Sequence, residues 1–263
     1  MPISVVIPTY ENPKMLNLCL KSLVENQTLN NQIIVVVDGD HGQNDEVLKS
    51  YPKVSALRFK DNQRESRAHN FGVYGATNEA VLILNDDNVA SKDWDVRLLD
   101  HYHPTTVVTP NQIEPRPSIF QSFVHKDFGT NADNFQYDAF QEYAQSISST
   151  RISVDGRTFP FMFPKKMFMA VGGFDMTFPY PCMADWDLFL RWELLGVRFK
   201  RIFSTHFYHF SGAERTLTSS QRRAAEEQDS AQYFVYKWKY QPALHANNSC
   251  IPVNTPINGV DFV

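Results

Sequence analysis

One stretch of sequence decides the fold: Ile33-Ile34-Val35-Val36-Val37-Asp38-Gly39-Asp40. Its apolar half predicts a strand that is buried on both faces, as in a parallel sheet covered by helices. Gly39 permits a sharp turn at the carboxyl end of that strand, where two acidic side chains follow. The stretch therefore predicts an α/β protein with polar groups at one edge of its sheet.

The same alternation of short apolar runs and helical periodicity extends through the first 110 residues or so. It predicts strands at 3–7, 33–37, 54–59 and 80–84, with helices at 13–27 and 64–77. Asn12 is predicted to cap the first of these helices, and Pro13 to be its first residue. Polar clusters follow three of these strands, at 9–12, 38–40 and 85–88. In open α/β sheets, ligands bind outside the carboxyl ends of the strands, which favours a site here. The alternative is that Asp, Asn and Gly simply form turns.

The second half of the chain is less regular. Residues 110–159 lack clear periodicity, and we expect loops and short helices there. Beyond them the pattern predicts strands at 161–163, 198–203 and 205–210, with helices at 165–171, 185–195 and 219–240. The segment from residue 241 predicts a tail without a core of its own.

Composition excludes several classes of protein. The 263 residues carry 25 Lys and Arg against 29 Asp and Glu, so no positive field favours nucleic acid. The three cysteines are far apart, which fits neither a disulfide framework nor a thiolate zinc site. No apolar run approaches the roughly 18 residues of a membrane helix. We therefore expect a cytoplasmic protein with no transmembrane segment and no nucleic-acid partner.

Adjacent carboxylates, Asp86 and Asp87, follow the strand at 80–84. They repel each other unless a cation or a hydrogen-bonding ligand shares the site. Mg²⁺ or Mn²⁺ meets that need, because such ions bind one or two carboxylates together with waters and phosphate oxygens. The alternative is a solvated turn that caps the helix predicted to begin near Ser91.

Several short segments, in this order and spacing, resemble those of family 2 glycosyltransferases, the nucleotide-sugar-dependent inverting enzymes of the GT-A fold. The matching segments are Val5-Val6-Ile7-Pro8-Thr9-Tyr10-Glu11, Val35-Val36-Val37-Asp38-Gly39, Arg67-Ala68-His69-Asn70-Phe71-Gly72, Leu84-Asn85-Asp86-Asp87, Gly172-Gly173-Phe174-Asp175 and Ala184-Asp185-Trp186-Asp187-Leu188-Phe189-Leu190-Arg191. The resemblance covers about residues 3 to 212. It implies a mixed, mostly parallel central sheet flanked by helices, in a single domain of residues 1–240. Residues 1–110 would bind the nucleotide sugar and residues 111–240 the acceptor.

The resemblance also implies a donor site, whose residues are Pro8, Thr9, Tyr10, Glu11, Asp38, Asp40, Arg64, Arg67 and Asp86. The segment 8–11 would line the base and ribose, with Asp38 or Asp40 bonding the base. Asp86 would face the ribose, and Asp87 would hold Mn²⁺ or Mg²⁺ on the diphosphate. Alternatively, Tyr10 only packs, and both arginines are exposed helix charges.

Two further roles follow from the resemblance. Asp185, at the start of a helix whose amide dipoles favour its ionised form, would be the general base for the acceptor hydroxyl. The alternative is a simple helix-terminal charge, which is also our interpretation of Asp187. His209 would supply a metal ligand, or would only pack. His206 and His209 are predicted to lie on the same side of their strand.

Three positions depart from the family pattern. Asn85 replaces the first acid of its Asp-x-Asp motif, Gly39 replaces the second acid of its Asp-Asp-Gly-Ser turn, and Ala184 replaces the glutamate before the base.

The leading hypothesis is a glycosyltransferase that takes a nucleoside-diphosphate sugar and transfers the sugar to a glycan or other hydroxyl acceptor. The alternative is a non-catalytic sugar-nucleotide or glycan-binding module with the same fold.

Overall fold

The structure is a computed structural model that describes residues 1–117, 123–178, 183–211 and 217–239, with only the backbone described for 217–226. Within these residues, ten strands form one mixed sheet in the order β3-β2-β1-β4-β9-β6-β10-β5, with β7 beside β6 and β8 beside β10. The strands are β1 (Ile3–Thr9), β2 (Gln32–Asp38), β3 (Ser55–Phe59), β4 (Ala80–Ile83), β5 (Asn88–Ala90), β6 (Thr106–Glu114), β7 (Val124–His125), β8 (Ile152–Ser153), β9 (Phe161–Pro164) and β10 (Arg198–His209).

The four strands nearest the amino terminus are parallel, with Ile7 beside Val35 and Val5 beside Leu82. Strand β9 inserts antiparallel between β4 and β6, and the short β5 closes the far edge antiparallel to β10. The pairing of β10 with β6 is parallel. The predicted mixed, mostly parallel sheet is thus confirmed.

Eight helices accompany the sheet in the described residues: α1 (Pro13–Asn26), α2 (Asp45–Ser50), α3 (Glu65–Gly75), α4 (Trp94–Leu99), α5 (Tyr137–Ser146), α6 (Lys165–Ala170), α7 (Ala184–Leu194) and α8 (Leu217–Trp238). Helix α1 begins with Pro13, whose missing N–H costs nothing at a first helical position. Its apolar stripe of Leu16, Leu20 and Leu23 is fully buried.

Helices cover both faces of the sheet. Helices α1 and α4 pack on one face through side chains such as Leu20 and Trp94. Helices α3, α6, α7 and α8 pack on the other face through Val73, Phe168 and Trp192, among others. Helix α3 lies close to β1 at Gly72, where an added Cβ would come within 2.2 Å of a Val6 methyl carbon. Both faces of the central strands are therefore buried, as their unbroken apolar runs predict.

Two predictions of secondary structure are wrong. Residues 110–159 were expected to hold loops and short helices, which the ten-residue helix α5 fits, but they also contain the end of the nine-residue strand β6, which was not expected. The two strands predicted within 198–210 form the single strand β10 (Arg198–His209), with a register shift between Ile202 and His206. The tail predicted from residue 241 lies outside the described residues, and the division into two halves stays a prediction.

Across the described ranges, none of the helices combines the length and the apolar character needed to cross a bilayer. Among the cysteines, Cys19 lies buried beneath the sheet with its thiol free.

Candidate functional site

The carboxyl ends of β1 and β4 meet through Asp86. The Thr9 hydroxyl donates to Asp86 Oδ2 at 2.6 Å, and the Asn12 amide donates to Oδ1 at 3.2 Å. Burial, with a smaller contribution from the charge of Asp87, raises the pKa of Asp86 to about 7 against the lowering effect of these hydrogen bonds. Asn12 was interpreted as a helix cap, but its side chain makes no capping bond and holds Asp86 instead.

Asp87 and His209 come together at the next strand end. His209 Nε2 lies 3.6 Å from Asp87 Oδ2, and both side chains are about a quarter exposed or less. The backbone fixes the pair, because the N–H of Phe210 donates to the Asp87 carbonyl at 3.2 Å. The Asn88 amide also donates to Asp87 Oδ1 at 3.2 Å. The structure thus brings the two predicted metal ligands into one place.

The donor set of this pair fits a divalent ion that is shared with a ligand. No cluster of three or more His, Cys, Asp or Glu side chains that could hold a metal ion occurs in the part of the chain that the structure describes. One carboxylate and one imidazole therefore leave most coordination positions to other groups. Mg²⁺ sites of this kind keep several waters and are completed by phosphate oxygens of a substrate.

Glu114, at the end of β6, was missed by the sequence reasoning. Its Oε1 atom lies 2.8 Å from His209 Nδ1, and the Glu114 side chain is only 7% exposed. The sequence offered no clear signal for it, because Thr109-Pro110-Asn111-Gln112 separate Glu114 from the short apolar run at 107–108.

The two acids after β2 have different surroundings. The backbone N–H of Gln63 donates to Asp38 Oδ1 at 2.6 Å, which ties β2 to the segment before α3. Burial raises the pKa of Asp38. Asp40 accepts bonds from the backbone of Gly42 and from both the backbone and the side chain of Asn44. Asp40 thus organises its own loop, and Asp38 is the better placed of the two to meet a ligand.

The segment after β1 presents an aromatic surface. Pro8 still pairs with Val36 inside the sheet, whereas Tyr10 is 47% exposed. A hydrogen bond with Glu11 and the charge of that carboxylate raise the pKa of the Tyr10 hydroxyl. An exposed ring beside the strand ends is suited to stacking on a planar ligand.

Arg64 and Arg67 line a cavity of about 290 Å³. The other lining residues are Asn62, Gln63, Ser66, Met176 and Phe178. Arg67 Nη1 donates to the Gln63 side chain at 2.7 Å, and the backbone of Gln63 reaches Asp38. Gln63 therefore links this cavity to the carboxyl end of β2, and the two arginines give the cavity positive charge.

Asp185 lies in the first turn of α7, where its Oδ1 accepts the Trp186 N–H at 2.9 Å. The direction of α7 follows from ring contacts with β9. Phe161 pairs with the last residue of β4, and its ring centroid lies 4.9 Å from that of Phe189. Phe163 pairs farther from that end, and its ring centroid lies 5.3 Å from that of Trp192. The amino-terminal turn of α7 therefore extends toward the edge that carries Asp86 and Asp87.

Asp187, two residues further on, is fully buried. It accepts hydrogen bonds from Arg191 Nε at 2.9 Å and from Trp238 Nε1 at 2.8 Å, and Lys237 Nζ lies 2.6 Å from its Oδ1 atom. These contacts agree with the structural interpretation of Asp187, because its oxygens fasten α8 to α7.

Positive φ occurs at seven non-glycine residues in the described part of the chain. Five of them are predicted site residues or lie within two residues of one: Glu11 (φ 50°), His41 (φ 52°), Arg64 (φ 70°), Met183 (φ 68°) and Ser211 (φ 54°). The other two, Asp93 and Lys239, lie away from the predicted site. Such backbone conformations cost free energy and concentrate at functional sites.

The prediction that His206 and His209 share one side of their strand is wrong. Side chains alternate along β10, and positions three apart face opposite ways. His206 pairs in register with Asn111 and is 1% exposed. Burial lowers its pKa to about 4, and its Nδ1 atom has no hydrogen-bond partner. His206 thus lies in the interior, away from the side that holds His209.

The fold is that of a GT-A glycosyltransferase. A crystal structure of GalNAc-T7 with UDP, GalNAc and Mn²⁺ superposes with a TM-score of 0.60 at 14% identity. The match covers 79% of this chain and 43% of that chain, and at this identity it concerns the fold alone.

The sequence profile described as Glycosyl transferase family 2 matches residues 4–174, well over half of the chain. The chain therefore belongs to glycosyl transferase family 2, and the predicted family, fold and enzyme class, a glycosyltransferase, are confirmed. It is also 25% identical over 187 residues to a glucosyl-dolichyl phosphate glucuronosyltransferase of Haloferax volcanii. That match covers 66% of this chain and 56% of the relative, so the chain spans about half the length of this relative.

Proposed function

We propose that this chain transfers a sugar from a nucleoside-diphosphate sugar to an acceptor hydroxyl, with inversion at the anomeric carbon. The observation that carries the proposal is the 3.6 Å approach of His209 Nε2 to Asp87 Oδ2 at the carboxyl edge of the sheet. That edge is where open α/β sheets bind ligands. The fold neighbour crystallised with UDP, GalNAc and Mn²⁺ supports the same class of ligand.

The donor would lie across the ends of β1, β2 and β4. Asp38 accepts a hydrogen bond from the nucleotide base, and the exposed ring of Tyr10 stacks on it. Arg64 and Arg67 place positive charge beside the same strand ends. Asp86, fixed between Thr9 and Asn12, faces the ribose.

Asp87 and His209 would hold Mn²⁺ or Mg²⁺. When bound there, the ion supplies a positive charge that stabilises the diphosphate as it departs. The backbones of the two residues are held together, because the Asp87 carbonyl accepts a bond from the residue after His209. Their side chains already approach each other within 3.6 Å, which favours joint binding of one ion.

Asp185 would accept the proton of the acceptor hydroxyl. A bond forms between the acceptor oxygen and the anomeric carbon while the bond from that carbon to the diphosphate oxygen breaks, and its electron pair leaves with the diphosphate. A single in-line displacement inverts the anomeric carbon. A carboxylate is a weak base, so Asp185 takes the proton late, as the new bond forms. A glycan hydroxyl as acceptor and a cytoplasmic location stay predictions from the sequence.

The test is a screen of nucleoside-diphosphate sugars for Mn²⁺-dependent release of the nucleoside diphosphate. We expect turnover by the wild type, loss of at least about 100-fold in Asp87→Ala, and a similar loss in Asp185→Asn. Asp185→Asn should still bind donor with wild-type affinity, because its side chain meets the acceptor rather than the nucleotide. Asp100→Asn, which alters an exposed acid at the end of α4, is the matched control and should keep full turnover.

Normal turnover by Asp185→Asn would contradict the base assignment. Donor binding that is unaffected by metal and by Asp87→Ala would contradict the metal site. Donor binding with no turnover of any donor, in the wild type as in Asp185→Asn, would favour a non-catalytic sugar-nucleotide-binding module.

A further inference from the structure

Three side chains lie in a row across adjacent strands at the edge of the sheet. Glu114 ends β6, His209 ends β10, and Asp87 immediately precedes β5. The strands β6, β10 and β5 are neighbours in that order. Glu114 Oε1 lies 2.8 Å from His209 Nδ1, and His209 Nε2 lies 3.6 Å from Asp87 Oδ2. The imidazole therefore connects a buried carboxylate to a more exposed one.

Glu114 is rigidly held. Its side chain is 7% exposed, its carbonyl accepts the Lys126 N–H at 3.0 Å, and it pairs with His125 of β7. A buried carboxylate needs a hydrogen-bond donor, and the Nδ1–H of His209 supplies one. The bond that Glu114 accepts fixes which ring nitrogen carries a hydrogen and how the ring is oriented.

We propose that Glu114 is a positioning residue that acts through His209. By accepting the Nδ1–H, it leaves the lone pair of Nε2 directed at the side where Asp87 lies, which is the tautomer that a metal ion requires. Carboxylate partners of this kind also increase the basicity of a ligating imidazole. The inference rests on the proposed function, because it assumes that Asp87 and His209 hold a divalent ion.

The role differs from ordinary packing in one measurable way. If Glu114 acts through the ring of His209, then replacing Glu114 has no further effect on metal affinity once His209 is absent. If Glu114 only stabilises the end of β6, its replacement weakens binding equally with and without His209.

The experiment measures binding of Mn²⁺ alone, from the loss of the free-ion signal in electron paramagnetic resonance. The proteins are the wild type, Asp87→Ala, His209→Ala, Glu114→Gln and the double variant His209→Ala with Glu114→Gln. Glu193→Gln is the matched control, because Glu193 is also largely buried and ion-paired, to Arg157. Thermal unfolding of each variant is recorded alongside.

We expect Glu114→Gln to weaken Mn²⁺ binding about tenfold, within the usual range for partners of metal ligands. The double variant should bind no more weakly than His209→Ala, and Glu193→Gln should bind as the wild type does. Unchanged binding by Glu114→Gln, or the same tenfold loss in the His209→Ala background, overturns the inference while the metal site stands, provided that Asp87→Ala has lost affinity. Absence of Mn²⁺ binding by the wild type overturns both the inference and the metal part of the proposed function.

Discussion

The side chain of Asn70 holds the backbone of Phe174 with two hydrogen bonds. Its Nδ2 donates to the Phe174 carbonyl at 2.9 Å, and its Oδ1 accepts the Phe174 N–H at 2.8 Å. Gly173 makes this approach possible, because an added Cβ there would lie 2.5 Å from Asn70 Oδ1. The contact joins two segments, 67–72 and 172–175, that carry the family resemblance. It explains both the asparagine and the glycine in physical terms.

We predict that Asn70→Ala lowers the free energy of unfolding by about 3 kcal/mol, because it leaves two buried backbone groups of Phe174 without partners. Urea denaturation followed by circular dichroism measures the change. The control is Asn30→Ala at an exposed position, which should change stability by less than about 0.5 kcal/mol. Equal stability of the two variants would contradict the importance of this contact.

Most of the parallel part of the sheet could be predicted from sequence, because strands such as β1 and β2 are unbroken apolar runs. Strand β6 could not. All nine of its residues are buried, yet it contains Thr109, Pro110, Asn111 and Gln112. A proline and three polar residues are atypical of a central strand. Tertiary hydrogen bonds hold two of them there, from Thr109 Oγ1 to the Gly156 carbonyl and from Gln112 Nε2 to the Phe159 carbonyl, whereas the buried side-chain amide of Asn111 has no partner among the described residues.

The candidate site could be predicted in part for the same reason. Thr9, Asp86 and Asp87 follow recognisable strands, so their meeting at one edge is a consequence of parallel topology. The partner of His209 could not be predicted, because Glu114 lies 95 positions away in the sequence and its strand was not recognised. Asn12 was assigned a local role, since local capping is the usual reason for an asparagine before a helix.

Two buried histidines should make the protein sensitive to acid. Burial lowers the pKa of His69 to about 3 and that of His206 to about 4. In the unfolded chain the pKa of a histidine is near 6.5, so below that pH the unfolded chain binds protons that the folded chain does not bind. The free energy of unfolding therefore falls as the pH drops from about 6.5 toward 4. The slope is about 1.4 kcal/mol per pH unit for each histidine.

We expect His69→Gln to reduce the slope of unfolding free energy against pH by about 1.4 kcal/mol per pH unit, which corresponds to one proton. Urea denaturation at pH 4.5 to 6.5 measures this slope. The control His103→Gln removes an exposed histidine without touching either buried ring. A His69→Gln variant with the wild-type slope would show that His69 does not contribute to the pH dependence.

Lys237 of α8 controls the ionisation of Asp175. Burial alone would raise the pKa of Asp175, but the hydrogen bond and charge of Lys237, with bonds from Thr177, lower it to about 2. We predict that Lys237→Met raises this pKa by at least one unit, observed by carbon-13 NMR titration of the carboxyl group. Because the folded pKa is below the unfolded value near 3.9, the wild type loses this stabilisation as the pH falls from about 4 to 2. Lys239→Met, at an exposed lysine of the same segment, is the control and should leave the titration unchanged.

Gly39 is required by its surroundings as well as by its backbone. Its φ is +80°, and an added Cβ would lie 2.4 Å from the backbone nitrogen of Asn62. Gly196 offers a matched control, because its φ is +76° but nothing lies within 4 Å of a Cβ placed there. We predict that Gly196→Ala costs about 1 kcal/mol from backbone strain alone, whereas Gly39→Ala costs about 3 kcal/mol because the clash with Asn62 is added.

The clash also moves the segment that donates to Asp38, so Gly39→Ala should weaken binding of the proposed nucleoside-diphosphate donor while Gly196→Ala should not. Urea denaturation measures the first effect, and isothermal titration with the nucleoside diphosphate that the wild type releases in the donor screen measures the second. Equal losses of stability in both variants would mean that the left-handed backbone, and not the close approach of residues 61 and 62, dictates glycine at position 39. In that case the backbone conformation alone would explain why Gly39 replaces the second acid of the family's Asp-Asp-Gly-Ser turn.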